Sequence, residues 1–81
     1  MGYRPTPLDV RWAREMARIL KDGGVFAGRQ CPAAVYRINH TDRTVTCVEP
    51  SALEDPVAAQ VHACNVATFA EIGYTVLPHI D

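Results

Sequence analysis

The chain has 81 residues, 48% of them hydrophobic, and its eight basic and nine acidic side chains leave a net charge of −1. This length suits one domain, the hydrophobic share excludes intrinsic disorder, and no apolar run approaches the ~20 residues of a membrane-spanning helix. No apolar leader follows Met1. The three cysteines, Cys31, Cys47 and Cys64, are widely spaced. We therefore expect a cytoplasmic protein with reduced thiols.

The charges are unevenly distributed along the chain. Eight basic and four acidic residues precede residue 44, whereas five acidic residues and no Lys or Arg follow it. The two parts therefore differ in sign, with net charges of +4 and −5. Such a split indicates an electrostatic partner, unless folding mixes the two parts in space and cancels them.

The first predicted element is a helix from Pro7 to about Lys21. Thr6 is a good N-cap, Pro7 suits the first helical position, and Asp9 can complete a capping box with Thr6. Apolar side chains at helical spacing predict one face packed on the core. They are Leu8, Trp12, Met16, Ile19 and Leu20. Gly23-Gly24 should end the helix, because glycine accepts the left-handed conformation that satisfies the last carbonyl groups.

Three strands are predicted next. Val25–Ala27 is short, and a turn should follow it from Gly28 to Pro32. Ala34–Asn39 and Thr44–Glu49 form the clearest strand pair, joined at hairpin length by residues 40–43. Alternation sends one set of side chains inward, namely Tyr36, Ile38, Val45 and Cys47. It sends the other set into water, namely Arg37, Asn39, Thr44 and Thr46.

A second helix is predicted from Pro56 to Ile72, with Asp55 as its N-cap and a stop at Gly73. A start at Ser51, with Glu54 completing a capping box, would put the proline inside the helix, where its ring would clash. A last strand, Tyr74–Leu77, follows.

The predicted order is α-β-β-β-α-β in a single α+β domain. We expect one mixed four-stranded sheet, an antiparallel meander plus a C-terminal strand, with both helices on one face. The crossover through the second helix favours a last strand parallel to the third. This strand could sit beside the first strand, but the sequence leaves its position in the sheet open.

The second helix is apolar nearly all round. Val57, Val61, Cys64, Thr68 and Ile72 make one apolar face, and one side of the helix should lie on the sheet. A second face consists of Ala59, Ala63, Ala67 and Ala70. This alanine face requires a neighbour of its own, either the first helix of the same chain or the same face of a second copy.

A basic stripe runs along the first helix. It consists of Arg11, Arg14, Arg18 and Lys21. The stripe is either a solvated helix face or a surface for nucleic acid or an acidic protein. Glu15 lies four residues from Arg11, where an ordinary helix ion pair could form.

No set of residues predicts catalysis or metal binding. His62 and Cys64 are two apart on a helix and point ~200° apart, so they cannot share an ion. Cys31 lies in a turn beside Arg29 and is the one candidate nucleophile, with an inert loop thiol as the alternative. His62, Asn65 and Phe69 lie together on the second helix. Asn65 is interpreted either as a buried amide bonded to backbone or as an interface register residue, and a small-ligand pocket is not favoured.

The order helix, three strands, helix is similar to that of double-stranded RNA-binding domains, but residues 54–57 read Glu-Asp-Pro-Val where that family carries lysines, and we reject the assignment. The segment Ile19–Phe26, followed by Val35–Ile38 and Thr44–Thr46, resembles small proteins without assigned function from bacterial mobile elements, such as phages or integron gene cassettes. This resemblance covers about half the chain and implies a stand-alone bacterial protein.

These patterns predict a non-enzymatic protein-interaction module that forms a homodimer through the alanine face, with no cofactor, metal or membrane. The alternatives are binding of nucleic acid or another anionic partner by the basic stripe, and thiol-dependent catalysis at Cys31.

Overall fold

A computed structural model describes the backbone of residues 4–78 and the side chains of residues 4–30 and 34–78. Its elements are α1 (Pro7–Ile19), β1 (Val25–Gly28), β2 (Cys31–Asn39), β3 (Thr44–Cys47), a short 3-10 helix (Pro50–Glu54), α2 (Pro56–Ala70) and β4 (Thr75–Leu77). The predicted α+β class and the order α-β-β-β-α-β are therefore confirmed.

The N-terminus of α1 forms as its sequence predicts. Thr6 Oγ1 accepts from the Asp9 amide at 3.2 Å, and Asp9 Oδ2 accepts from the Thr6 amide at 2.9 Å. This capping box satisfies two groups that would otherwise lack partners. The helix ends at Ile19, two residues earlier than predicted, because Leu20 is already extended and Gly23 has a φ of +83°.

The start of α2 also confirms the prediction. Asp55 Oδ2 accepts from the Ala58 amide at 3.3 Å, and Pro56 is the first helical residue. The alternative start at Ser51 lies instead in the 3-10 helix. α2 ends at Ala70, before the predicted Ile72, and Gly73 follows with a φ of +85°.

The sheet is mixed, in the order β1-β2-β3-β4. The first three strands are antiparallel, and β4 is parallel to β3 as predicted. It does not lie beside the first strand, the position considered from the sequence, since β4 pairs directly with β3. Pairing with the free edge of β3 keeps the crossover short, whereas the edge of β1 lies two strands further away.

The connection between β1 and β2 is tighter than predicted. The expected turn from Gly28 to Pro32 is reduced to Arg29 and Gln30, and β2 already begins at Cys31. Gln30 takes a φ of +65°, and the register shifts between Ala27 and Gly28. A proline is tolerated at the start of a strand beside such a bulge, which is why it does not end the turn.

The inward set of the central strands is confirmed, because Tyr36, Ile38, Val45 and Cys47 are all buried. α1 packs on part of the predicted face, because Trp12, Met16 and Leu20 contact the core, but the contact is shifted toward Asp9 and Ala13. Ala13 and Asp9 are its buried residues, while Leu8 is 62% and Ile19 is 55% exposed. The small Ala13 side chain allows close approach, and the Trp12 ring lies to one side against Phe26 and Phe69.

α2 is also rotated from the predicted orientation. The predicted face contributes only Thr68 to the buried set, and Val57 is 64% exposed. The other buried residues are Ala58, His62, Asn65 and Phe69. His62 and Asn65 can occupy the core because every polar atom that faces protein there has a hydrogen-bond partner. Apolar periodicity alone could not identify this face.

Candidate functional site

The outer face of α2 remains largely open. Ala63 and Ala70 are exposed, and Ala59 and Ala67 are half-buried. We call these four residues the alanine ridge. α1 does not cover the ridge, because it approaches α2 on another side, where Asp9 borders a cavity with Cys64 and Thr68. Among the described residues, therefore, nothing covers Ala63 and Ala70, and α1, one of the two neighbours considered for the ridge, does not fill that place.

Charged side chains lie at both ends of α2, and Glu71, its C-cap residue, is exposed at the C-terminal end. Glu54 and Asp55 are exposed at its N-terminal end. At its C-terminal end, the Arg43 guanidinium lies 5.8 Å from the centre of the Tyr74 ring, beside Gly73. Acidic groups favour a helix N-terminus, so Glu54 and Asp55 suit the N-terminal end of α2, whereas Glu71 opposes the helix dipole at the C-terminal end.

A cleft of about 540 Å³ adds two further arginines near the C-terminal end of α2. It is lined by Pro5, Pro7, Val10, Arg11, Arg14, Glu15 and Glu71. The alanine ridge is thus an uncharged strip between an acidic end and an end of mixed charge, where Arg11, Arg14 and Arg43 lie near Glu15 and Glu71.

All four residues of the basic stripe are exposed. Arg18 binds Glu15 with two hydrogen bonds, from Nε at 3.0 Å and from Nη2 at 2.8 Å. These bonds, with the charge of Arg18, lower the pKa of Glu15 below its ordinary value. The ion pair thus joins Glu15 to Arg18 rather than to Arg11, a pairing that the sequence spacing also allowed. It neutralises part of the stripe.

His62, Asn65 and Tyr36 form a buried polar network between α2 and β2. His62 Nδ1 lies 2.7 Å from the Tyr36 hydroxyl, and His62 Nε2 lies 2.8 Å from the carbonyl oxygen of Pro78. Asn65 Nδ2 donates to the Val61 carbonyl at 3.1 Å and to the Tyr36 hydroxyl at 3.5 Å. The interpretation of Asn65 as a buried amide bonded to backbone is therefore confirmed.

A second histidine repeats this geometry near the other end of β4. His40 Nδ1 lies 2.7 Å from the Tyr74 hydroxyl, and Nε2 lies 2.7 Å from the Leu20 carbonyl oxygen. A carbonyl oxygen can only accept, so Nε2 carries the proton in both histidines. The pair of networks holds the residues on either side of β4 and has a structural role.

A small polar cavity of about 60 Å³ lies beside α1 and α2. Arg29 Nε donates to Asp9 Oδ1 at 2.7 Å at its edge, and Asp9 is buried. Burial raises the pKa of the Cys64 thiol above its ordinary value, and the charge of Asp9 raises it further. A thiol of raised pKa is a poor nucleophile at neutral pH. Sequence reasoning missed the Asp9–Arg29 pair, because its members are 20 residues apart.

The structure adds few observations on the other candidate features, namely the Cys31 thiol, a metal site and a membrane-spanning helix. The side chain of Cys31 lies outside the described residues. Within the part of the chain that the structure describes, no three His, Cys, Asp or Glu residues are close enough to hold a metal ion. In the same part, neither helix has the length and apolar character required to cross a bilayer.

Comparison with known proteins found no match to a family model, to a curated protein or to a solved structure.

Proposed function

We propose that this domain acts by binding protein rather than by catalysis, and that it forms a homodimer through the alanine ridge of α2. The exposure of Ala63 and Ala70 carries the proposal. No charged side chain lies between Pro56 and Ala70. Removing the outer face of a helix with so little polar surface from water lowers the free energy of the system.

Close helix packing suits this surface. Small side chains spaced three or four residues apart let two helices approach to ~8 Å. A twofold axis between Ala63 and Ala67 would place the two ridges antiparallel on each other. The contact would then be self-complementary, as in the commonest class of protein dimer.

The charges at the ends of α2 support an antiparallel arrangement. In such a dimer, Glu54 and Asp55 of one protomer approach the end of the other α2 where Arg43 lies together with Glu71. The acidic and basic parts of the sequence then meet between molecules. A parallel arrangement would place like charges together and is disfavoured.

Light scattering on the purified chain, coupled to size-exclusion chromatography, tests this proposal. We expect Ala63→Arg to abolish the ridge contact, since a long charged side chain cannot be accommodated between closely packed helices. Thr46→Arg is the matched control, because Thr46 is exposed on the sheet face away from the helices. A folded Ala63→Arg protein with the same mass as Thr46→Arg would contradict the ridge dimer.

A second candidate function is the binding of nucleic acid or another anionic partner by the basic stripe. The supporting observation is that Arg11, Arg14 and Lys21 make no ion pair with any described residue. Such binding must weaken steeply with salt and with Arg14→Glu. Absence of retention on heparin or mixed-sequence DNA at low salt would contradict it.

Three further points belong to the same proposal. Free Cys47 and Cys64 support a reducing compartment, which we take to be the cytoplasm. The resemblance to proteins of bacterial mobile elements is kept as the proposed origin. Thiol catalysis at Cys31 is the least supported function, and a Cys31 thiol that reacts with iodoacetamide no faster than free cysteine would exclude it.

A further inference from the structure

The free edge of β1 has a definite hydrogen-bonding pattern. The Ile38 amide donates to the Gly24 carbonyl at 3.0 Å, and the Val48 amide donates to the Val35 carbonyl at 2.8 Å. Backbone groups alternate in direction along an antiparallel strand. The backbone amide and carbonyl of Val35 point toward β3, and Val35 is paired with Ala27. The backbone amides and carbonyls of Val25 and Ala27 must therefore point away from β2.

These four backbone groups have no partner among the described residues. β1 is an edge strand of the sheet, and no backbone hydrogen bond joins Val25 or Ala27 to a described residue outside the β1–β2 pair. Val25 is 48% exposed, and Ala27 is also exposed. An edge of this kind is a template for another strand.

An exposed apolar flank lies beside this edge. Leu8, Trp12 and Ile19 share one face of α1, and the Trp12 ring lies 6.0 Å from that of Phe26 on β1. Leu8 and Ile19 are more than half exposed on that face. A strand added to β1 would bring apolar surface over both of them.

We propose that β1 pairs antiparallel with β1 of a second copy of this chain. With a twofold axis at Phe26, Val25 of each copy lies opposite Ala27 of the other. In this register the two copies satisfy all four groups of each edge with four backbone hydrogen bonds. The two sheets become one continuous sheet of eight strands, and the flanks of the two α1 helices meet beside the axis.

Self-pairing fits this edge better than a longer foreign strand does. The bulge between Ala27 and Gly28 ends the regular edge after three residues, so further residues of another strand would find no partners. When two copies meet, the three-residue register provides a hydrogen-bond partner for every outward backbone group of Val25 and Ala27. The β1 edge and the alanine ridge are separate surfaces, so this contact goes beyond the proposed ridge dimer and does not depend on it.

Ala27→Pro tests the β1 contact directly. The Ala27 amide is not used within the sheet, so proline removes a donor to the second copy without breaking the β1–β2 pairing. Ala27→Thr keeps the amide and is the matched control. If Ala27→Pro fails to fold, Ile19→Lys places a charge on the flank and serves instead. The readout is mass by light scattering.

With both contacts present, we expect wild-type mass above that of a dimer, a dimer for Ala63→Arg, a dimer for Ala27→Pro, and a monomer for the double variant. A monomeric Ala63→Arg protein would overturn the β1 contact and leave the ridge standing. Conversely, unchanged mass in Ala63→Arg with monomeric Ala27→Pro would overturn the ridge and support β1. A folded Ala27→Pro protein of wild-type mass would also overturn the β1 contact.

Discussion

The hydroxyl of Tyr36 lies 2.7 Å from Nδ1 of His62, and both side chains are fully buried. Because Nε2 of His62 donates to the Pro78 carbonyl, Nδ1 is assigned as the acceptor and the tyrosine hydroxyl as the donor. One hydrogen-bond relay thus joins the middle of β2 to α2 and to the residue after β4. It holds α2 in the rotation that leaves the alanine ridge outward.

We therefore expect Tyr36→Phe to lower the free energy of unfolding by about 1–3 kcal/mol, since it leaves a buried ring nitrogen of His62 without its donor. Tyr74→Phe is the control, because the corresponding pair with His40 is only half-buried and water can replace the hydroxyl. Urea denaturation of the two variants measures the difference. Equal losses would show that burial of the Tyr36–His62 bond adds nothing.

Gly28→Ala should also destabilise the fold, by about 1–3 kcal/mol. A Cβ there would lie 2.9 Å from Cε2 of Tyr36 and 3.1 Å from both the Ala34 carbonyl oxygen and Asn65 Nδ2. The backbone and the packed ring cannot both move away. Thermal unfolding of the purified variant measures the loss, and a melting temperature equal to that of wild type would contradict it.

Gly23→Ala separates steric from conformational cost. A Cβ at this position meets nothing within 4 Å, but the φ of +83° disfavours alanine. We expect a loss of about 1 kcal/mol from the backbone conformation alone. A larger loss than that of Gly28→Ala would mean that the crowding around Gly28 is readily relieved.

The Cys64 thiol should react with iodoacetamide more slowly than free cysteine near pH 8, because burial and the charge of Asp9 raise its pKa. A Cys31→Ser/Cys47→Ala background isolates this thiol. Asp9→Asn should move the pH profile of the rate to lower pH. Thr6→Ala, which disturbs the same helix cap but keeps the charge, should leave the profile in place.

The same shift has a consequence for stability. The folded state holds the Cys64 proton more tightly than the unfolded state does. Its contribution to stability is therefore complete below the pKa of the unfolded thiol and is lost as the pH rises through the folded pKa. The loss of stability at alkaline pH should be smaller in Cys64→Ala, as measured by urea denaturation at several pH values.

The charge pattern of the ridge dimer predicts a reciprocal exchange. Glu54→Lys and Arg43→Glu should each weaken the dimer, since each places like charges together where α2 ends meet. The double variant restores opposite charges and should recover part of the affinity. Sedimentation at several concentrations gives the three dissociation constants. Additive losses in the double variant would count against the antiparallel arrangement.

Local chemistry made several elements predictable. The starts of α1 and α2 follow from Thr6 and Asp55, each followed by a proline, and the inward set of β2 and β3 follows from strict alternation. These signals act between residues close in the chain. For this reason they do not depend on how the elements later pack.

By itself the sequence determined the identity and order of the helices and strands, because caps, turns and periodicity are encoded within a few residues. Only the tertiary structure decided which face of each helix is buried and that β4 joins the edge of β3. It also decided which groups of the β1 edge remain free. His62 is buried in the core, on a different face of α2 from the predicted valines, only because Tyr36 and Pro78 form hydrogen bonds with both its ring nitrogens. Both partners are distant in sequence. Asp9 can likewise be buried because its carboxylate accepts a hydrogen bond from Arg29, which lies 20 residues away in the sequence. Hydrogen bonds between residues distant in sequence determine the free-energy cost of burying these polar side chains. A local sequence pattern carries no information about such bonds.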